Sequence, residues 1–228
     1  MKKTVFLSAG HGGKDGGAVA NGLIEKDINL NALLACKSYL EKYGVTVYCS
    51  RVKDENDGVY DEVREANASG AEIAVSFHAN AGGGDGFEVF YYEGTLQGYE
   101  LAQTIEEYVK QLGQNSRGIK RGNHLYFIRN TKMPAVLVES FFLDNAKDKT
   151  IGDTIEEQKA FGVAYAKAIL DYFGINTNIV HTTKKDTTAI AKEVISGKWG
   201  NGEERKKRLA EAGYNYKTIQ AEVNRLLK

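Results

Sequence analysis

The chain has 228 residues, of which 42% are apolar and 26% charged, with a single proline. That composition excludes a disordered or collagen-like polypeptide and leaves room for one medium domain and a small one. Net charge is zero overall, yet residues 176–228 carry 11 Lys and Arg against 6 Asp and Glu, while residues 1–175 carry 19 against 24. The basic end suits either an anionic polymer or a solvated helical face. No nucleic-acid partner is expected. No stretch is long and apolar enough to span a bilayer, so no membrane insertion is expected either.

The elements read as follows in chain order. Residues 4–8 form a short apolar strand that enters the Gly-rich turn His11-Gly12-Gly13-Lys14-Asp15. Lys2 and Lys3 before that run imitate a signal peptide, but the apolar stretch stops too early for one. Residues 27–42 are helical, with Leu30, Leu33, Leu34 and Leu40 at helix spacing and Gly44 as the stop. Residues 45–49 are a second strand, and residues 59–69 a helix with Val63 and Ala66 inward. Residues 73–77 and 87–92 are the next strands. A helix over 99–112, strands over 125–128 and 135–138, and a long helix over 155–173 complete this part. The alternation predicts an α/β layered fold, a mostly parallel twisted sheet flanked by helices.

The polar, aperiodic segment 175–186 is a linker between a domain over 1–174 and a module over 187–228. The module shows three helical patterns, over 187–196, 203–212 and 217–227, which predict a small three-helix bundle. Ile190, Val194, Ile195, Leu209, Ile219, Val223 and Leu226 are its candidate core. Trp199, the only tryptophan, is a core anchor or a stacking platform for sugar, the core role being favoured. Cys36 and Cys49 lack CxxC spacing and read as buried free thiols, consistent with synthesis in a reducing compartment.

Three strands lead to chemistry-bearing residues. The first leads to His11, residues 73–77 lead to His78, and residues 135–138 lead to Glu139. In open α/β sheets ligands bind beyond the carboxyl ends of parallel strands, so these groups converge at one edge. Glu25, which opens the first helix, belongs to the same edge. A lone His at a strand end is more often structural, and a lone Glu at a helix start is usually a dipole partner. Two His and one Glu together are a set that makes a catalytic zinc site with one open position. A fourth, unligated carboxylate is then a natural general acid or base. A phosphate loop is excluded, because Lys14 is followed by Asp15 rather than Ser or Thr.

These residues resemble a known family. Ser8-Ala9-Gly10-His11-Gly12-Gly13, Glu25 within residues 23–30, Ser76-Phe77-His78-Ala79-Asn80 and the run from Pro134 to Asn145 are similar to the zinc N-acetylmuramoyl-L-alanine amidases. Ser50-Arg51 and Arg64-Glu65-Ala66-Asn67 fall where that family carries similar residues. The resemblance covers nearly all of residues 1–173. It implies that His11, Glu25 and His78 bind one Zn2+ per catalytic domain and that Glu139 is catalytic. The family often has Asp where this chain has Ser8-Ala9, and Gly where it has Phe141. Asn80 and Arg51 are expected to line the cleft. His124, placed just before a strand, contacts substrate or is structural.

Residues 191–202, followed by Arg205, Leu209, Tyr214 and Val223-Asn224, resemble the short cell-wall-binding repeat of certain phage lysozymes. That resemblance implies bacterial peptidoglycan as partner, with Trp199, Arg205 and Tyr214 as candidate contacts. Pairing of chains into a homo-oligomer through this module would raise avidity. The expected function is an endolysin-type amidase, made in a host cytoplasm without a signal peptide and acting on the wall after release. A host autolysin, and a zinc peptidase or carboxypeptidase acting on peptidoglycan, are the alternatives. A glycosidase with paired carboxylates gives no reason for His11 and His78.

Overall fold

The computed structural model describes residues 2–175, 187–211, 214 and 216–227. The chain divides into two compact units, Met1–Ile179 and Val180–Lys228. The first contains β1 (Thr4–Ala9), a small ribbon of β2 (Val19–Ala20) and β3 (Leu23–Ile24), α1 (Glu25–Lys42), β4 (Thr46–Cys49), α2 (Val59–Ser69), β5 (Ile73–Asn80) and β6 (Phe87–Tyr91). It continues with α3 (Leu96–Lys110), β7 (Ser116–Arg121), α4 (Tyr126–Asn130), β8 (Ala135–Phe142), α5 (Ala146–Lys149) and α6 (Ile155–Tyr172).

The main sheet is ordered β4-β1-β5-β8-β6-β7. Its first four strands are parallel, while β6 runs antiparallel to β8 and parallel to β7. The expected mostly parallel sheet flanked by helices is therefore present. Successive side chains along a strand point to opposite faces. Val5, Leu7, Val75, Phe77, Val136 and Val138 join the core shared with α1, α3 and α6. Phe6, Ala74, Ala135 and Leu137 form a second core with Val63 and Ala66 of α2 and Phe127 and Ile128 of α4. Both faces of the central strands are apolar because both are covered. The α2 and α4 helices have only 11 and 5 residues, against 18 each for α1 and α6, and a cavity opens on their side of the sheet.

Several expectations are corrected. Residues 125–128 are not a strand: Leu125 precedes the short helix α4. A four-residue apolar run does not distinguish strand from buried helix by its pattern. The place beside β6 is instead taken by the polar segment Ser116–Arg121, which no hydrophobic alternation announces. Strands β5 and β8 run three and four residues past their expected ends at Phe77 and Val138, so His78 and Glu139 lie within strands. Leu34 and Ile195, expected inward, are exposed. Cys36 and Cys49 are free thiols, the first buried and the second half-buried.

The second unit contains α7 (Thr187–Ile195), α8 (Gly202–Glu211) and α9 (Tyr216–Leu226). Ile190, Ala191, Val194, Leu209, Ile219 and Val223 form its core, with Trp199, Tyr214, Tyr216 and Leu226 packed against it. The part of the expected linker from residue 176 to 186 lies outside the described residues.

Candidate metal centre

The loop after β1 is built to aim one imidazole. His11 takes φ +66, a left-handed conformation that costs a non-glycine residue about 1–3 kcal/mol and survives only where its surroundings impose it. They do so here. The buried Arg51 donates from Nε to the carbonyl of Ala9 (2.9 Å) and from Nη2 to that of Lys26 (2.7 Å). Buried Asn29 donates to the carbonyl of Gly10 (3.0 Å). Lys26 Nζ holds the carbonyl of Gly13 and the carboxylate of Asp54 (2.9 and 2.7 Å).

His11 points Nδ1 at Asp15 Oδ2 (2.8 Å) and Nε2 at Glu25 Oε1 (3.3 Å). His78, from β5, points Nδ1 at the same Glu25 oxygen (3.0 Å). Glu25 is 5% exposed and also accepts from the backbone N–H groups of Ala18 (2.8 Å) and Ala79 (3.2 Å). Ligand atoms of His11, Glu25 and His78 all lie within 4.8 Å of one another, a cluster that can hold a metal ion. Nitrogen and oxygen ligands about 2.0–2.1 Å from a tetrahedral ion sit about 3.3–3.4 Å apart, which the His11–Glu25 approach of 3.3 Å matches, while the His78–Glu25 approach of 3.0 Å is shorter.

Glycines make room for these rings. A Cβ on Gly10 would lie 2.1–2.2 Å from ring atoms of His78, and one on Gly17 would lie 2.5 Å from Glu25 and 2.6 Å from His11. Glycines flanking the turn, Gly10 and Gly17, thus admit the ligands themselves.

Electrostatics follow the geometry. The bond to Glu25 raises the pKa of His11, burial opposes this, and Asp15 adds to the rise, giving about 9. Burial opposes ionisation of Glu25, but the bonds from His11 and His78 outweigh it and hold its pKa well below the carboxylate range. Burial likewise opposes protonation of His78, and Glu25 and Glu139 overcome it.

Glu139 stands beside His78 in parallel register, on the same face of the sheet. Its Oε2 is buried and has no hydrogen-bond partner among the described residues. Burial lifts its pKa to about 7. A buried polar atom left unpaired calls for an explanation, and a site for substrate or attacking water supplies one. A cavity of about 380 Å³ adjoins the cluster, lined by His11, His78, Asp15, Asp57, Glu62, Val59, Tyr126 and Leu137 among others.

The remaining expected site residues stand elsewhere. Arg51 is 2% exposed and its bonds go to backbone carbonyls, so it clamps the loop rather than lining the cleft. Asn80 turns its amide to Glu88 (3.5 Å) and accepts from the Ala81 N–H (2.8 Å). His124 precedes a helix, is exposed, and sets its ring edge-on to Phe90 with centroids 6.2 Å apart. In the second unit Trp199 is half-buried, donates from Nε1 to Glu193 (3.1 Å) and meets Tyr214 edge-on at 5.9 Å. Arg205 donates to Gly200 and Asn201 (both 2.9 Å), holding the turn before α8. All three thus have structural contacts within the module.

Sequence reasoning missed Asp15, Glu62 and the role of Gly10. Glu62 is 3% exposed, on α2, and lines the same cavity as His78. Only Asp15, four residues after His11 in a Gly-rich loop, left a local signal.

The model of the family described as N-acetylmuramoyl-L-alanine amidase matches residues 5–171. The chain belongs to the N-acetylmuramoyl-L-alanine amidase family. A second model, the CW_7 repeat, matches residues 188–227. Among similar family members is the endolysin of Bacillus phage SPP1, 41% identical over 180 residues, covering 72% of this chain and 66% of that protein. Another is the amidase CwlM of Bacillus licheniformis, 40% identical over 148 residues, covering 63% of this chain and 58% of the relative. The chain thus spans under two thirds of the length of these relatives. The catalytic domain of the amidase CwlV from Bacillus (Paenibacillus) polymyxa var. colistinus superposes with a TM-score of 0.71 at 32% identity, over 76% of this chain and 99% of that one.

Proposed function

We propose that the chain is a zinc amidase of endolysin type, which hydrolyses the amide between the lactyl group of muramic acid and L-alanine in bacterial peptidoglycan. The observation that carries this reading is the convergence of His11, Glu25 and His78 beside the unpartnered Oε2 of Glu139. His11 through Nε2, His78 through Nδ1 and Glu25 through Oε1 would hold the ion, and the imidazole–carboxylate donor set fits zinc. When bound, zinc supplies Lewis-acid activation of a carbonyl and of a water.

The chain's own groups do the rest. Asp15 accepts from Nδ1–H of His11, which fixes the tautomer that leaves Nε2 free to ligate. Glu139 takes a proton from the attacking water and returns it to the departing alanine amine. The lift of its pKa to about 7 suits both roles, since the group can accept and release a proton near neutrality. The clamped loop keeps His11 in place throughout.

The C-terminal module is the wall-binding part, and its match to the CW_7 repeat supports that role. Likeness to a phage endolysin supports synthesis in a host cytoplasm, action on the wall after release, and host lysis. Likeness to a bacterial amidase supports a host autolysin with the same chemistry. Mass spectrometry of digested wall, with and without chelator, tests the reaction. The expected product is a peptide with N-terminal alanine, lost on chelation. Fragments cut within the peptide would indicate a peptidase instead.

A further inference from the structure

The polar row on the sheet continues past Glu139. Glu88 of β6 lies directly opposite Glu139 in the antiparallel register, so both side chains occupy one face. Glu88 is 5% exposed, and its Oε1 accepts from Arg117 Nε and Lys120 Nζ, both at 2.5 Å. Arg117 and Lys120 are three residues apart on β7, a spacing that sends side chains of a regular strand to opposite faces. Here the β6–β7 register shifts between Phe87 and Val89, and Gly118 takes φ +93. The bulge turns both cations to one carboxylate, as bulges do where a side chain must be re-aimed.

Basic residues on an edge strand often serve only to stop it pairing with another chain. Arg121, paired with exposed Glu93 and itself 72% accessible, fits that role. Arg117 and Lys120 do not, because they turn onto Glu88, the residue opposite Glu139 on the sheet. Their side chains remain 41% and 35% accessible. A guanidinium has five N–H donors and an ammonium three, more than one carboxylate can take. The opposite flank is lined by the carboxylates of Asp15, Asp57 and Glu62. An anionic group is repelled there and attracted towards β7.

We propose that Arg117 and Lys120 form a specificity subsite for a carboxylate on the peptide side of the scissile amide, with Glu88 as their positioning residue. The proposal rests on the amidase reading of the metal centre. It gives the substrate a direction, the sugar towards the α2–α4 cavity and the acidic peptide towards β7. Two strand spacings of about 4.8 Å separate β8 from β7, a distance covered by roughly two to three extended residues.

The test compares two peptides corresponding to the released stem, identical except that the carboxyl next to the alanine is free or amidated. Their equilibrium binding to the zinc-loaded full chain is measured by calorimetry, which does not depend on which bond the enzyme cuts. The free acid is expected to bind about five- to ten-fold tighter. Lys120→Met and Arg117→Gln are each expected to shrink that preference and to raise KM for the acidic substrate with kcat unchanged. Arg121→Ala is expected to leave the preference intact. Equal binding of the two peptides by the wild-type chain overturns the subsite, and so does a preference that survives both substitutions. Cleavage within the peptide overturns the amidase reading separately, with the binding result still readable.

Discussion

In the C-terminal unit, polar side chains around the small core are paired with one another: Trp199 with Glu193, Arg205 with Asn201 and Gln220, Thr188 with Glu222. In the first unit, Glu139 Oε2 and Ser76 Oγ lie buried with no hydrogen-bond partner among the described residues, and His11 holds a left-handed backbone. The small module uses its polar groups to close its own turns. The larger unit, with two cores to stabilise it, can leave groups unsatisfied at one edge of its sheet. An unpaired carboxylate oxygen and a strained backbone lying beside the ligand cluster mark the site more sharply than burial does.

That contrast can be broken most forcefully at Glu139. Glu139→Gln is expected to lower hydrolysis by about 10²–10⁴-fold while retaining one metal ion per chain, measured by turnover and elemental analysis. Its pH dependence has a definite sign. The base works when deprotonated, so activity falls as pH drops through its pKa. A bound cation can only lower that pKa, so the acid limb lies at or below about 7. A limb well above 7 would assign it to another group.

Next in size is Gly10→Ala, whose Cβ would meet the His78 ring at 2.1–2.2 Å. Metal affinity is expected to fall at least tenfold, with circular dichroism unchanged, because the ring rather than the backbone must move. Loss of folding instead would make Gly10 a determinant of the fold.

Asp15→Asn tests the partner of His11 and is expected to weaken metal binding by about 10–100-fold. In wild type, His11 holds its proton up to about pH 9 when no ion is bound, so metal uptake at pH 7 displaces a proton and affinity rises with pH towards 9. Calorimetry in buffers of different ionisation enthalpy reads that proton.

The smallest effect on hydrolysis is expected in the other unit. Trp199→Ala should abolish sedimentation with cell walls, because its ring packs on a small core, six buried residues among those described. Turnover of a soluble muramyl peptide should stay within about twofold. Loss of wall binding with the module still folded would restore the sugar-stacking role for Trp199.

Much of this was legible in the sequence, and unevenly so. Long amphipathic runs such as 155–173 gave their helix within one residue at its end, because nine of its positions are buried. Parallel strands ending near His11, His78 and Glu139 gave the site, since topology alone brings such ends together. The segment 116–121 gave no strand signal, because Ile119 alone of its side chains packs on a core while Arg117 and Lys120 turn to a carboxylate. Arg51 misled for a related reason: the sequence shows a cation, and only the fold shows that carbonyls surround it. Gly10 lies against His78, 68 residues away in the chain, and Glu62 shares a cavity wall with that ring from 16 residues away, which no local pattern encodes.

The central claim is one divalent ion shared by His11, Glu25 and His78. X-ray absorption of the zinc-loaded full chain tests it most directly, beside elemental analysis of His11→Ala. The expected shell holds two imidazole nitrogens and carboxylate oxygen at about 2.0–2.1 Å, with the ion lost from His11→Ala. A sulfur shell near about 2.3 Å, or one tightly held zinc per chain remaining in His11→Ala, would contradict it.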